Sequence, residues 1–422
     1  MINKIAGTIF SRLLNAVISL AVVIIISHQL GARGVGTVSL VLLGITIIQM
    51  VSGFIGGSAL IYLVPRFHSV SLLLPSYAWS VVSGFTCSFL LFLLRLVPAA
   101  YIWHVLMLSI FLSLATVNLN IILGREKVAA FNIISSLQMI IMIASISIMI
   151  FIFGRKDVFS YILALYCSYV FLFISSSAVC IRLLASQKDN PKEKVLKNLL
   201  KYGSFVQTAN ILQLFNYRLC YYFVEYFISR AALGIFSVGV QVSEGLWLTG
   251  KSMSVVQYSK ISNTDDREYA KRITLVFGKI SFIITLLLLA ILLLLPSSFF
   301  TSLFGNDFSD LPIVIFYLAA GILFLSMSFS FSHYFSGIGK HHHNSISSFI
   351  GLVLTVCFGV WLIPAYGLPG AAVATSLSYS AILTYQVFFF LKLSSSRLKD
   401  ILITGNDIEI FYTEIKKILK KS

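Results

Sequence analysis

Two stretches of the chain carry polar side chains at helical spacing inside apolar sequence. Gln207, Arg218 and Glu225 are 11 and 7 residues apart, which puts them on nearly one face of an α-helix. The next apolar stretch has a second polar face, formed by Ser237, Gln241, Glu244, Lys251 and Tyr258. A charge at bilayer depth costs about 2.5 to over 10 kcal/mol, so these faces should meet each other or water rather than lipid. They therefore predict a polar pathway.

The charged residues of these faces need partners. Glu244 and Lys251 are two turns apart on one helix, about 10.5 Å, so they are not direct partners of each other. Arg218 is the predicted counter-ion of Glu244. Two roles remain open for this pair, a structural bridge between the two helices or a part of a binding cavity. For Arg12, at the mouth of the first apolar stretch, a boundary charge and a cation facing the cavity are equally open.

The elements that carry these residues are apolar and long. Of 422 residues, 58% are hydrophobic and 11% charged, and the mean hydropathy is +0.94. In soluble domains, roughly a quarter of the residues are charged. Since one bilayer crossing needs roughly 20 apolar residues, the sequence predicts an all-α integral membrane protein. We expect about twelve transmembrane helices near residues 11–30, 38–63, 71–94, 100–123, 128–152, 158–184, 203–228, 232–257, 273–296, 312–336, 344–363 and 370–391.

Positive charge is distributed unevenly between the two sides of these spans. The net charge is +16, and 23 of the 31 Lys and Arg residues fall in alternate gaps that include both termini, against five in the other gaps. Short cytoplasmic loops carry such an excess of cations. The distribution predicts that both termini are cytoplasmic, and it argues against nucleic acid as a partner.

The spans divide six and six around a charged loop, which predicts two related halves. The segment Ser27–Ser39 recurs loosely as Ser229–Ser237, although short Gly and Ser matches also arise by chance in so biased a composition. An even number of spans in each half implies two six-helix bundles related by a parallel pseudo-two-fold repeat. The predicted domains are an N-terminal bundle at 1–185, a cytoplasmic linker at 186–202, a C-terminal bundle at 203–393 and a cytoplasmic amphipathic tail at 394–422.

Signatures of enzymes and cofactors are missing from the sequence. It contains no Gly-rich phosphate loop, no His-Glu zinc pattern and no nucleophile elbow. We therefore predict no catalytic residue, no cofactor and no metal site. The run His341–His343 is predicted to be a solvated cytoplasmic loop rather than a set of metal ligands, because no Cys or carboxylate lies beside it.

Three segments resemble a known family. They are Leu30–Gly36 (LGARGVG), the stretch from Tyr217 to Trp247, and Ile363–Thr375 (IPAYGLPGAAVAT). Together they resemble the O-antigen type of polysaccharide-biosynthesis flippase, within the multidrug/oligosaccharidyl-lipid/polysaccharide (MOP) exporter superfamily. The resemblance implies two bundles around a central cleft that works by alternating access. It also implies translocation of an undecaprenyl-diphosphate-linked oligosaccharide, an O-antigen or similar repeat unit, across the bacterial inner membrane.

The resemblance assigns expected roles to the polar residues. Arg218, Lys251 and Arg12 would bind the diphosphate, and Glu244 would hold Arg218 in place. The sugar contacts would come from Gln207, Asn210, Asn216 and Gln241. Cys220 departs from the family, in which an acidic residue is common at that position, so Glu225 and Glu244 become the candidates for ion coupling. Expected partners are membrane lipids and, from the same pathway, a polysaccharide polymerase and a chain-length regulator.

Two alternative functions remain open. An ion-coupled exporter of small cationic compounds would share the fold, but its cleft should contain more carboxylates than cations. The predicted spans of this sequence instead contain three cations, Arg218, Lys251 and Lys279, and the two carboxylates Glu225 and Glu244. A membrane polymerase of the same pathway should have a large external loop with catalytic Arg or His. The external gaps of this sequence are short.

Overall fold

The computed structural model describes residues 2–185 and 195–402, and these are almost entirely helical. Lipid offers no hydrogen-bond partner to the backbone, so apolar spans satisfy their own N–H and C=O groups as α-helices. The helices are α1 (Ile2–Gly56), α2 (Ala59–Leu63), α3 (Ser69–Leu93), α4 (Ile102–Gly124), α5 (Val128–Ser147), α6 (Val158–Ala185), α7 (Val195–Phe227), α8 (Arg230–Ser262), α9 (Arg267–Leu294), α10 (Ser297–Phe304), α11 (Leu311–Gly337) and α12 (His342–Ser394). Most of the predicted linker and of the amphipathic tail lies outside these described residues.

Within the described ranges, nine stretches are long and apolar enough to cross a membrane. Two of them, Phe10–Leu63 and His342–Ser394, have 54 and 53 residues, more than twice the roughly 20 residues of one crossing. Each contains one glycine with non-helical backbone, Gly31 (φ 66°, ψ 177°) and Gly367 (φ 63°, ψ −135°). Division at these glycines, together with the more polar α7, accounts for the twelve predicted spans.

The chain forms two compact units that exchange short segments. Unit 1 contains Met1–Ile211, Ser229–Ile235 and Thr301–Phe308, and unit 2 contains Leu212–Ile228, Phe236–Phe300 and Ser309–Ser422. In unit 1, α1 packs on α3, α4 and α5, and α6 packs on α4 and α5. In unit 2, α11 packs on α9 and α12. The domain boundaries given above stay a prediction.

The two copies of the glycine segment meet each other inside unit 1. A Cβ atom at Gly36 would overlap the backbone carbonyl of Arg230, and one at Gly234 would overlap the carbonyl of Ala32. The contacts are reciprocal, because 36 and 234 are related by the same offset of the sequence as 32 and 230. Reciprocal contact of equivalent residues is what a local two-fold axis produces, and small residues let helix backbones approach this closely. The geometry supports the internal repeat.

The histidine run differs from its prediction as a solvated loop. His341 and His342 are exposed, but α12 begins at His342, and His343 is buried. Its Nδ1 lies 3.0 Å from the Tyr385 hydroxyl, and its ring centroid lies 4.7 Å from that of Phe389. The prediction was wrong for His343, because the helix begins within the run and turns this imidazole toward an aromatic neighbour.

Candidate substrate-binding site

Arg218 and Glu244 form a two-point ion pair between α7 and α8 in unit 2. Arg218 Nη1 donates to Glu244 Oε1 at 2.6 Å and Nη2 donates to Oε2 at 2.8 Å. The side chains are 25% and 18% exposed. Two parallel charge-assisted hydrogen bonds fix both position and orientation, and the predicted counter-ion is confirmed. Both carboxylate oxygens accept hydrogen bonds from the guanidinium, so the positive charge of Arg218 offsets the negative charge of Glu244.

Aromatic rings lie beside this pair. The Tyr217 ring lies 5.8 Å from that of Trp247 and 5.5 Å from that of Tyr379, centroid to centroid. The Arg218 guanidinium carbon lies 5.2 Å from the Tyr221 centroid, within cation–π range. Tyr379 is 1% exposed. These rings keep water away from one side of the pair, which strengthens its hydrogen bonds.

The polar face predicted for α8 is partly exposed. Gln241, Lys251 and Tyr258 are exposed, while Ser237 is buried. The exposed residues Lys251 and Tyr258 lie on α8 beyond its apolar stretch Arg230–Leu248. Lys251 is the cation of this face that is accessible to a ligand.

Sequence reasoning missed His333 on α11. Its Nδ1 lies 2.8 Å from the Phe329 carbonyl oxygen, and its ring lies 6.1 Å from the Tyr258 ring. A carbonyl accepts only, so Nδ1 carries the proton and Nε2 is left for another partner. A lone histidine inside the predicted span 312–336 was the signal in the sequence.

Asn216 and Cys220 lie in the packed interior of unit 2. Asn216 is 2% exposed, and its Oδ1 accepts from Thr355 Oγ1 at 3.1 Å and from Ser378 Oγ at 2.7 Å. Thr375 Oγ1 donates to Cys220 Sγ at 3.4 Å. Both side chains link α7 to α12. In this conformation, Asn216 is not accessible to a ligand, and its predicted sugar contact stays a prediction.

The remaining predicted residues are distributed over both units. In unit 1, Gln207 is buried beside Gly53 and donates to Met50 Sδ at 3.3 Å, Asn210 donates to Gln207 Oε1 at 3.2 Å, and Arg12 is exposed. In unit 2, Glu225 is partly buried near the end of α7. The structure thus brings together Arg218 with Glu244 and Gln207 with Asn210. A single site that contains all of the predicted residues stays a prediction.

Comparison with known sequences finds one membrane protein. No family model matches the chain. An uncharacterized membrane protein of Methanocaldococcus jannaschii is 24% identical over 213 residues, which are 50% of this chain and 42% of that protein. The match therefore spans less than half of the length of this relative, and it supports a membrane protein without naming an activity.

Solved structures match over nearly the whole chain. The lipid II flippase MurJ, in an inward closed conformation, has a TM-score of 0.76 and 15% identity over 98% of this chain and 92% of that one. An inward-facing multidrug resistance MATE transporter of the MOP superfamily has a TM-score of 0.69 and 17% identity, over 90% of this chain and 94% of that one. An outward-facing MATE transporter has a TM-score of 0.61 and 16% identity, over 93% of this chain and 96% of that one. The chain has the fold of MOP-superfamily transporters, and the predicted all-helical membrane fold with twelve helices in two bundles is confirmed.

Proposed function

We propose that this protein is a flippase for a polyprenyl-diphosphate-linked oligosaccharide, an undecaprenyl-diphosphate-linked O-antigen or similar repeat unit. It works by alternating access in the cytoplasmic membrane, the inner membrane of a bacterium, with both termini in the cytoplasm. The fold shared with a lipid II flippase supports this proposal. So does the excess of Lys and Arg in the gaps that include both termini.

The observation that carries the proposal is the arrangement of charged side chains at the α7–α8 pair. Glu244 uses both carboxylate oxygens to hold Arg218, while Lys251 stays exposed on the same helix. A cationic drug needs an accessible carboxylate, whereas a diphosphate needs accessible cations and N–H donors. The accessible charge here is positive, which favours the anionic ligand.

The pair acts in this proposal as a positioned anion-binding group. A guanidinium has five N–H donors, and those not directed at Glu244 remain for a phosphate oxygen. Lys251 lies about 10.5 Å from Glu244 along α8, which leaves room for a diphosphate between the two cations. Arg12 adds a third cation, and Gln207, Asn210, Asn216 and Gln241 provide sugar contacts where the cycle exposes them.

Transport against a gradient needs a residue that couples it to an ion. Glu225 and Glu244 are the candidate coupling carboxylates, since Cys220 carries no carboxylate and its buried Sγ accepts a hydrogen bond from Thr375. Transport then depends on an ion gradient or the membrane potential. The partners are the lipid-linked oligosaccharide, membrane lipids, a polysaccharide polymerase and a chain-length regulator.

A genetic complementation experiment tests the proposal. A strain without the gene should accumulate lipid-linked oligosaccharide and lose surface polysaccharide. The wild-type gene should remove the accumulation and restore surface polysaccharide, whereas Arg218→Ala and Lys251→Ala should do neither. The matched control is Lys156→Ala, an exposed cation in a loop of unit 1, which should complement fully. Normal surface glycan in the deletion strain would refute the proposal.

One observation favours the second function, export of small cationic compounds. Tyr217, Trp247 and Tyr379 form an aromatic cluster at the pair, and aromatic faces attract cations. The multidrug transporters share this fold. If the deletion strain has normal glycan but becomes sensitive to cationic dyes, and Glu244→Gln fails to restore resistance, this function replaces the first.

A further inference from the structure

A groove on the surface of unit 1 has a mainly apolar lining. It lies between α3 and α6 over α4, has a volume of about 520 Å³, and is lined by Leu73, Tyr77, Asn118, Ile174, Ile181 and Leu184 among others. From Ile174 to Leu184 it follows α6 for about 15 Å, at 1.5 Å per residue. We call it the α3–α6 groove. Its length is suited to most of one acyl chain.

The polar atoms at the floor of the α3–α6 groove are already paired. Tyr77 donates its hydroxyl proton to Asn118 Oδ1 at 2.6 Å, and Asn118 Nδ2 donates to Ser177 Oγ at 2.9 Å. Satisfied polar groups offer little to a polar ligand. The floor therefore fixes α3, α4 and α6 relative to one another and leaves an apolar lining for the occupant.

Two arginines lie at one end of the α3–α6 groove. Arg125 follows α4, and its Nη2 donates to Ser69 Oγ at 2.8 Å, one turn before Leu73 on α3. Arg182 is exposed on α6, one turn beyond Ala178 of the lining. The charge distribution of the sequence predicts that this end lies at the cytoplasmic leaflet. Cations beside an apolar groove at that level complement the phosphate of an anionic lipid.

A second groove of nearly the same size provides a contrast. It lies in unit 2 between α9 and α11, has a volume of about 510 Å³, and is lined by Leu292, Leu293, Pro312, Ile313 and Phe316 among others. The charged residue next to this lining is Asp310, which is exposed two residues before Pro312. An anionic headgroup would be repelled there. The α3–α6 groove combines apolar shape with matching charge, and the second groove does not.

We propose that the α3–α6 groove binds an anionic phospholipid of the cytoplasmic leaflet. One acyl chain lies along Ile174, Ile181 and Leu184, and the phosphate lies between Arg125 and Arg182. This site is separate from the Arg218–Glu244 pair, and the proposal does not depend on the transported substrate. The lipid stabilises unit 1 by filling the groove.

Lipid titration of the purified, delipidated full chain tests this proposal. Native mass spectrometry and thermal unfolding would be measured with phosphatidylglycerol and phosphatidylcholine. We expect at least tenfold tighter retention of phosphatidylglycerol and a higher melting temperature with it. Arg182→Gln should weaken phosphatidylglycerol binding about fivefold, the value of one arginine at an anionic headgroup. Arg155→Gln, which removes an exposed arginine from a loop of the same unit, should leave binding unchanged.

Groove-filling variants test the acyl-chain position. Ala178→Phe should displace the chain and abolish the thermal shift, whereas Ile313→Phe, in the second groove, should not. Should Ala178→Phe fail to fold, the comparison of Arg182→Gln with Arg155→Gln still decides. Equal binding of the two lipids, or equal behaviour of these two arginine variants, would overturn the proposal. So would displacement of phosphatidylglycerol by equimolar polyprenyl phosphate, which would assign the groove to the substrate path instead.

Discussion

At the scale of single residues, Arg218 and Glu244 depend on each other. Arg218→Ala leaves a largely buried carboxylate without its two hydrogen bonds, and breaking a buried pair costs about 3 kcal/mol or more. We expect a clear fall in the thermal unfolding temperature in detergent. Lys251→Ala, which removes an exposed cation from α8, should leave the free energy of unfolding within about 0.5 kcal/mol of wild type. Equal stability of the two variants would contradict the structural contribution of the pair.

The double variant Arg218→Met/Glu244→Leu separates the two roles that the sequence left open. Replacement of both partners by apolar groups is often neutral for stability, so this variant should fold. If the pair belongs to the binding cavity, the folded double variant should not restore surface polysaccharide in the deletion strain. Full restoration would show that the pair is only a bridge between α7 and α8.

Asp157 predicts a pH dependence at the start of α6. Its Oδ1 accepts from the Ser160 hydroxyl at 2.6 Å and from the Ser160 backbone N–H at 2.8 Å. The hydrogen bond from the Ser160 side chain holds the pKa of Asp157 below its usual range. A lowered pKa in the folded protein means that this stabilisation is present above the unfolded value of about 3.9 and is lost as the pH falls through the folded value.

The corresponding measurement is unfolding of Asp157→Ala at two pH values. At pH 7 we expect a loss of about 0.5–1 kcal/mol, typical of a removed helix cap. At pH 3 or below, the difference in unfolding free energy between Asp157→Ala and wild type should become smaller, because the wild-type carboxylate is then being protonated. Asp157→Asn, which keeps a capping oxygen, should lose less at pH 7. If this difference in unfolding free energy does not depend on pH, the ionised Asp157 carboxylate does not stabilise the start of α6.

At the scale of elements, glycine determines how closely α1 and α8 approach. Gly234→Ala places a Cβ atom on the Ala32 carbonyl, so the two helices must separate. Gly245→Ala is a matched control on the same helix, because nothing lies within 4 Å of its added Cβ atom. We expect Gly234→Ala to lower the melting temperature. The control should be neutral or stabilising by up to about 1 kcal/mol, the difference in helix propensity. Equal effects would contradict the close crossing.

The kink of α1 lies at Gly31, next to the contact between Ala32 and Gly234. Gly31 has φ 66° and ψ 177°, a combination open mainly to glycine. The Ala32 N–H beyond it donates to Asp307 Oδ2 at 3.0 Å. The non-helical residue divides α1 into two spans, and a carboxylate from a segment distant in sequence satisfies an N–H group beside it.

At the scale of the whole molecule, the distribution of cations predicts topology. A single cysteine at position 156, just before α6, should react with a membrane-impermeant thiol reagent on intact cells, in a background where the five native cysteines are replaced. A single cysteine at position 127, just before α5, should react only after permeabilisation. Both sites are exposed in the structure, so accessibility does not bias the comparison. The reverse labelling pattern would overturn the cytoplasmic assignment of the termini.

Much of the fold could be predicted because it follows from local sequence. Span length, apolar composition and the glycines near 31–36 and 367 suffice to predict twelve helices, since lipid leaves the backbone few alternatives. The Arg218–Glu244 pair could also be predicted, because an unpartnered charge at that depth is too costly. The contacts of His333 and the burial of His343 could not be predicted, since each depends on which face of a helix is covered by residues distant in sequence.

By itself, the sequence determined an all-helical membrane protein, its division into two sets of spans and the pairing of its intramembrane charges. These follow from short-range rules: the thickness of the bilayer, the helical repeat and the cost of burying charge. Only the tertiary structure showed that Asn216 forms hydrogen bonds between α7 and α12. It also showed that Gly36 of α1 lies against α8 while Gly234 of α8 lies against α1, and that two arginines border an apolar groove. Those facts depend on contacts between segments tens to hundreds of residues apart, which composition and periodicity do not specify.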